Sequence, residues 1–273
     1  MQLRTVCAVY FSATDTTKKI VKQIAGGLAG ALQLSYQEVD FTLPQARTTP
    51  LEFAEGQLIV FGTPVYAGRV PNVLLKYLVQ TAGNGALAIP VVVYGNRDYD
   101  DALIELRDLL EKSNLHTVAA AAFIGEHSFS KTLAAGRPDG ADFAVADRFV
   151  RDVAEKVRAI SGIPEPVYVK GTPYPYRGYY QPRDRKGTPV DIRKVKPLTN
   201  ERCDGCKLCA AVCPMGSIDP GDVRQYTGIC IKCGACIKKC PQQAKYYADE
   251  GYLYHQHELE EGLTRRAEPE LFL

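Results

Sequence analysis

Eight of the chain's nine cysteines lie between positions 203 and 240, as two copies of one run: Cys203, Cys206, Cys209 and Cys213 before Pro214, then Cys230, Cys233, Cys236 and Cys240 before Pro241. Three thiolates at two-residue intervals cannot all surround one tetrahedral ion while the backbone keeps ordinary geometry. They do fit one face of an iron–sulfur cube whose fourth corner comes from elsewhere. The spacing is that of two [4Fe-4S] clusters, in which the last cysteine of each run ligates the other cluster. The expected ligand sets are therefore Cys203, Cys206, Cys209 and Cys240 for one cluster, and Cys230, Cys233, Cys236 and Cys213 for the other. Gly205 and Gly234 fall inside the ligand loops, where backbone must approach sulfide closely. The prolines remove an N–H and turn the chain away. Zinc usually takes paired cysteines separated by a longer spacer, and a disulfide framework needs a secreted chain.

The remaining sequence is too long to be an extension of so small a module. At 273 residues and 46% hydrophobic composition, the chain can bury a sizeable second core. No apolar run approaches the roughly 18 residues of a membrane helix, and the start reads as a strand rather than a signal peptide. Reduced cysteines imply a cytoplasmic compartment, and the clusters an anaerobic setting. The expected organisation is a larger domain over 1–160, a linker over 161–198 with seven prolines and the tyrosines of Tyr174–Tyr180, the cluster module over 199–247 and an acidic tail over 248–273.

Over the first 160 residues apolar strands alternate with amphipathic helices. Strands are expected at Arg4–Phe11, Gln33–Asp40, Leu58–Phe61, Ile89–Val93 and Thr117–Phe123, the last three as continuous apolar runs buried on both faces. Helices are expected at Thr16–Leu32, near Val70–Gln80, at Asp101–Lys112 and at Asp142–Ile160. This alternation predicts an α/β fold with a doubly wound parallel five-stranded sheet, followed by a small α+β module.

Ligands of such sheets bind at the carboxyl ends of the strands. Three loops stand there. Ser12-Ala13-Thr14-Asp15-Thr16-Thr17 offers hydroxyls and free amides at a helix N-terminus, a phosphate cradle. The segments after the third and fourth strands, Gly62–Arg69 and Tyr94–Asp101, each carry an aromatic ring and glycine-adjacent backbone. At these residues the chain resembles the flavodoxins: Ser12, Thr14 and Thr17 match that family's phosphate loop, while Asp15 replaces its glycine and Thr16 its asparagine. The resemblance implies an FMN site built from Ser12, Thr14, Asp15, Thr16, Thr17, Thr63, Pro64, Val65, Tyr66, Gly95, Asn96 and Tyr99, with Tyr66 and Tyr99 flanking the flavin and Asp15 turned to solvent. Residues 198–247 resemble the two-[4Fe-4S] ferredoxins, and the whole arrangement resembles the fused flavodoxin–ferredoxin proteins of anaerobes.

Other residues have plainer readings. Cys7 is a buried inert thiol, and Asp98, Asp100 and Asp101 complement a helix N-terminus; His127 is a solvated loop histidine at the sheet's carboxyl edge or a proton donor at the flavin, in the long Glu126–Gly140 loop that would shape a pocket there. His255 and His257 attract no role, while Arg69 and Arg97 could support a flavin anion. Net charge is near zero over 1–160, positive over 161–247 and negative over 248–273. The basic stretch either steers an acidic redox partner or pairs with the chain's own tail, the simpler arrangement. A recognition helix for nucleic acid is missing. The implied cofactors are two [4Fe-4S] clusters and FMN, joining one- and two-electron carriers. Two functions remain open. One is electron transfer with a redox partner protein, a ferredoxin-like donor or an acceptor oxidoreductase, within one chain or across a homodimer. The other is an oxidoreductase in which FMN reduces a small acceptor such as a quinone, nitro compound or metal complex. No nicotinamide-binding glycine fingerprint is present. A walled cavity over the flavin would favour the second, an open flavin edge the first.

Overall fold

The computed structural model describes residues 2–184 and 186–273. Its larger part follows the predicted alternation: β1 (Thr5–Tyr10), α1 (Thr16–Leu32), β2 (Ser35–Asp40), a 3-10 turn at Pro44–Arg47, β3 (Gln57–Pro64), α2 (Asn72–Leu78), β4 (Leu87–Tyr94), α3 (Ala102–Lys112), β5 (His116–Thr117), β6 (Ala120–Ile124) and α4 (Gly140–Ala159). The parallel strands run in the order β2-β1-β3-β4-β6, the flavodoxin-like doubly wound arrangement. β5 pairs with β4 immediately ahead of β6, and the register slips by one residue between them. Alternation along β1 explains the two layers. Val6, Ala8 and Tyr10 face the core under α1 and α4, while Cys7, Val9 and Phe11 face the core under α2 and α3. Gly62 permits close contact between α1 and β3, since a Cβ there would lie 2.2 Å from Val21 Cγ2.

Among the described residues the chain then runs without helix or strand to β7 (Leu198–Thr199). It is nonetheless tied down. Val167 and Val169 are buried, and the Val167 amide donates to the Thr117 carbonyl (3.1 Å). The ferredoxin-like segment comprises β7, α5 (Leu208–Ala211), α6 (Ala235–Lys238) and β8 (Lys245–Tyr246), with β7 and β8 paired antiparallel.

The expected acidic tail is a folded part of the larger domain. Residues Glu250–Gly262 form α7, capped by Asp249, whose carboxylate accepts the Tyr252 amide (2.8 Å). Glu270–Phe272 form β9, antiparallel to β6, so the sheet has one strand more than its five parallel members and the short β5. The physical reason is the edge of β6, whose unpaired backbone groups need a partner. Asn96 fixes the route: its side chain donates to the carbonyls of Leu263 (3.0 Å) and Arg265 (2.8 Å) and accepts from the Ala267 amide (3.1 Å). Buried Arg137 pairs with buried Asp142 and donates to the Ala267 carbonyl (2.6 Å). Among the described residues no helix is long and apolar enough to cross a membrane.

Candidate redox centre

The cysteines gather around two cavities in the crossed sets expected from the spacing. Cys203, Cys206, Cys209 and Cys240 line one, and Cys213, Cys230, Cys233 and Cys236 line the other. Positive φ at Lys207, Lys232, Gly205 and Gly234 lets these loops curl. At Gly234 a Cβ would stand 2.6 Å from the Ser128 carbonyl oxygen, so this glycine also allows the sheet domain to approach. Among the described residues no three His, Cys, Asp or Glu side chains converge on a single ion. Four sulfurs around a cube are held apart by the cube itself, so thiol chemistry and placement both fit a cluster. The two sites differ in setting. Cys206 is exposed, whereas Cys233 and Cys236 are buried, and burial pushes the Cys233 thiol up to about 12.

At the sheet's carboxyl edge a second kind of cavity opens. Thr14, Thr16 and Thr17 at the start of α1 line it together with Pro64, Val65, Tyr66, Gly95 and His127, and Cys233 forms part of its wall. The Thr17 hydroxyl is buried without a hydrogen-bond partner, as is that of Thr63 on β3. An orphaned hydroxyl beside the N-terminus of a 17-residue helix is what a phosphate-binding cradle leaves when described without its anion. Val65, Tyr66, Gly95 and His127 also line an adjoining cleft of about 610 Å³.

Four of the residues expected at the flavin are engaged elsewhere. Ser12 accepts the Lys18 amide (3.0 Å), ordering the loop from beneath. Asp15 takes the left-handed conformation that glycine favours (φ 66°), and its carboxylate meets Lys239 of the cluster segment (2.9 Å) rather than solvent alone. Asn96 holds the C-terminal segment, as described above. Tyr99 is buried and donates to Glu270 of β9 (2.8 Å). The last two share one cause: the returning C-terminal segment covers the outer side of their loop. Arg69 and Arg97 are likewise occupied. Arg69 forms a bidentate pair with Glu105 (2.6 and 2.8 Å) and packs on the rings of Tyr176 and Tyr179, while Arg97 pairs with Asp100 and lies over Tyr180. Burial opposes ionisation of Asp101, but Arg177 and the Thr172 and Arg177 amides outweigh it and hold the carboxyl at about 2. Its task is anchoring the linker.

The linker tyrosines consequently reach the site. Tyr180 donates its amide to the Ala67 carbonyl (2.8 Å), and its ring stacks on His255 of α7 at 5.9 Å between centroids. Phe129 packs on Tyr252 and edge-on to His255. Six separate sequence segments thus wall the cleft: the loops after β3, β4 and β6, the linker, the second cysteine run and α7. His127 is far from a solvated loop histidine: it lines both cavities, and burial pulls it down to about 4. Its backbone carbonyl accepts from Lys238 Nζ (2.6 Å), which also donates to the Ser130 carbonyl (2.9 Å) and pairs with Glu126. Lys238 stands on α6 between Cys236 and Cys240, so the cluster segment grips the loop that presents His127.

Residues 202–245 match the family described as a 4Fe-4S dicluster domain. The Ferredoxin 7Fe of Hydrogenibacillus schlegelii is 42% identical over 56 residues, spanning 19% of this chain and 72% of that protein. The chain belongs to the dicluster ferredoxin family. Two [4Fe-4S] clusters are its resident redox groups. Among solved structures, an archaeal flavodoxin is 17% identical, covering 56% of this chain and 99% of its own, with a TM-score of 0.41. The oxidised flavodoxin 2 of Bacillus cereus is 15% identical over 56% of this chain and 99% of its own, with a TM-score of 0.39.

In this ferredoxin the charges of the two parts are matched at the contact between them. Lys238–Glu126 and Lys239–Asp15 join the cluster segment to the sheet's loops, and Arg177–Asp101 joins the linker to them, while Lys170–Glu270 (3.5 Å) reaches the C-terminal strand. The internal pairing expected from charge counts is present, but it runs mainly to the sheet domain. The wall residues Phe129, Tyr180 and His255 escaped sequence reasoning because they belong to a loop, a linker and a helix that meet only in the fold. The tyrosine-rich linker and the length of the Glu126–Gly140 loop were the available signals.

Proposed function

We propose that this ferredoxin relays electrons between a redox partner protein, its two clusters and an FMN held at the carboxyl edge of the sheet. The observation that carries the reading is the double position of Cys233, which lines both the second cluster cavity and the cavity of the Thr14–Thr17 loop. A ligand of one centre forming a wall of the other gives the short separation that electron transfer requires. When bound, FMN exchanges electrons singly or in pairs and so can join one-electron clusters to two-electron chemistry. Thr14, Thr16 and Thr17 would hold its phosphate through hydroxyls and first-turn amides, with α1 favouring the anion. Val65, Tyr66 and Gly95 would bound the ring. Tyr66 stays a neutral phenol, since burial pushes its ionisation well up. Gly95 has to be glycine, because a Cβ there would lie 2.3 Å from His127 Cδ2. The exposed Cys206 marks the first cluster as the one that meets the partner.

Anaerobic purification with iron, sulfide and flavin quantified tests both cofactor sites together. About eight iron and eight sulfide per chain, with one FMN retained or taken up on reconstitution, is the expected result. Failure to bind FMN at saturating concentration would remove the flavin from the scheme while leaving the clusters. In the loaded protein, reduction of the clusters should be followed by flavin reduction at a rate independent of protein concentration. A rate proportional to concentration would mean that the centres communicate only between molecules.

A further inference from the structure

The 610 Å³ cleft adjoining the phosphate cavity has room for the flavin ring bounded by Val65, Tyr66 and Gly95 together with a small organic ligand laid beside it. Its walls are mostly apolar and aromatic, with Tyr66, Phe129, Tyr179, Tyr180, Ile229 and Ile231 among them. Three cations at its margin are engaged within the chain. Arg97 pairs with Asp100, Arg193 with Asp191 (2.8 Å), and Lys232 donates to the carbonyls of Cys230 (2.9 Å) and Arg193. Asp98 also lines the cleft and accepts the Asp100 amide (2.9 Å); charges of both signs therefore stand at its margin, and the apolar walls between them suit an uncharged ring. His127 Nδ1 accepts the Phe129 amide (3.1 Å), which leaves the neutral ring's proton on Nε2 as a donor for an acceptor oxygen. Burial keeps that ring neutral at ordinary pH.

We infer that this cleft is a substrate site for a planar, uncharged quinone. The inference rests on the FMN reading and names the acceptor that the walled geometry suits. Tyr180, backed by His255, supplies a face for the ring, and His127 Nε2–H a donor for a quinone oxygen. In the reaction the quinone gains two electrons and two protons to become the hydroquinone. The electrons come from the reduced protein, refilled one at a time by a one-electron donor protein at the clusters, and the protons from solvent. A cleft of this size walled by six segments is more than a carrier needs to pass electrons to another protein.

The holoprotein, reduced anaerobically and freed of excess dithionite, should be mixed in stopped flow with 1,4-naphthoquinone while flavin and cluster absorbance are followed. Reoxidation should saturate with quinone concentration, and Tyr180→Ala should raise the half-saturating concentration about ten-fold through loss of the stacking face. Tyr180→Phe should restore it, with iron and FMN contents unchanged in both variants. A strictly linear dependence in the unaltered protein would overturn the proposal, as would loss of FMN from Tyr180→Ala, which would place the ring in the cofactor site. Saturation with nitrobenzene and linearity with naphthoquinone would overturn the quinone assignment. A protein without bound flavin at the outset would instead count against the FMN reading itself.

Discussion

The sheet domain and the cluster segment are stabilised by different means. The sheet domain has two extensive apolar cores, one on each face, filled by side chains from nearly every strand and helix. The cluster segment has two strands of two residues, two helices of four, and a buried group of its own comprising Cys209, Ile218, Val223 and Cys236. Two of those four are ligand cysteines. So small a core cannot offset the entropy of ordering a segment of this length. The segment is held by its inorganic clusters and by the neighbour it leans on, with Cys233 and Ala235 packed into the sheet domain's own core. The difference teaches that cofactor loading and folding are one event in the cluster segment and separable events in the sheet.

The largest expected effect follows directly. Cys236→Ala, or preparation without iron, should leave residues 199–247 open to protease while 2–160 stay resistant. Equal resistance of both regions in the iron-free protein would break the comparison. Next comes the latch that returns the C-terminus to the sheet. Arg137→Met leaves buried Asp142 with only the Asp139 amide (2.9 Å) and the more distant Arg266 (3.8 Å) and should cost up to about 3–5 kcal/mol in denaturant unfolding, with a loss below about 1 kcal/mol refuting a structural role for the pair.

A smaller effect carries opposite signs in two measurements. Thr17→Val removes a buried hydroxyl that lacks a partner, so the flavin-free protein should be as stable as before or gain up to about 1 kcal/mol. FMN binding should weaken by about 1.5–3 kcal/mol for the lost bond to a charged phosphate, with riboflavin hardly affected. Equal weakening for both ligands would detach this loop from the phosphate. The smallest effect belongs to the contact between the two regions. Asp15→Asn breaks a partly exposed pair with Lys239 and should cost less than about 1 kcal/mol, a loss that shrinks in high salt. A salt-independent loss would point to the left-handed backbone at this position instead.

The cluster segment was legible from spacing because its ligands are neighbours in sequence, and three cysteines at fixed intervals leave one chemistry open. The parallel strands of the sheet were legible because burial on both faces writes itself as an uninterrupted apolar run, as in Leu58–Phe61 and Ile89–Val93. Helix α1 was legible to the residue from its apolar face. The threonines that line the cavity at the start of α1 were singled out from their place at a strand-to-helix turn. What the sequence could not supply depended on the return of the chain. β9 is three residues long and sits in acidic surroundings, so neither periodicity nor composition distinguishes it from a tail. Asn96 and Tyr99 stand at positions that suit a flavin loop, and only the C-terminal segment folded over them gives their side chains to Ala267 and Glu270.

Sequence alone thus determined the grouping of the cysteines, the parallel sheet and the helix whose N-terminus faces the carboxyl edge, because each is encoded in residues a few positions apart. Tertiary structure decided which residues wall the cleft, which acids and bases neutralise one another, and how near Cys233 comes to the Thr14–Thr17 loop. Those relations join positions from about 15 to 260, and contacts of that separation arise from packing and burial rather than from local pattern.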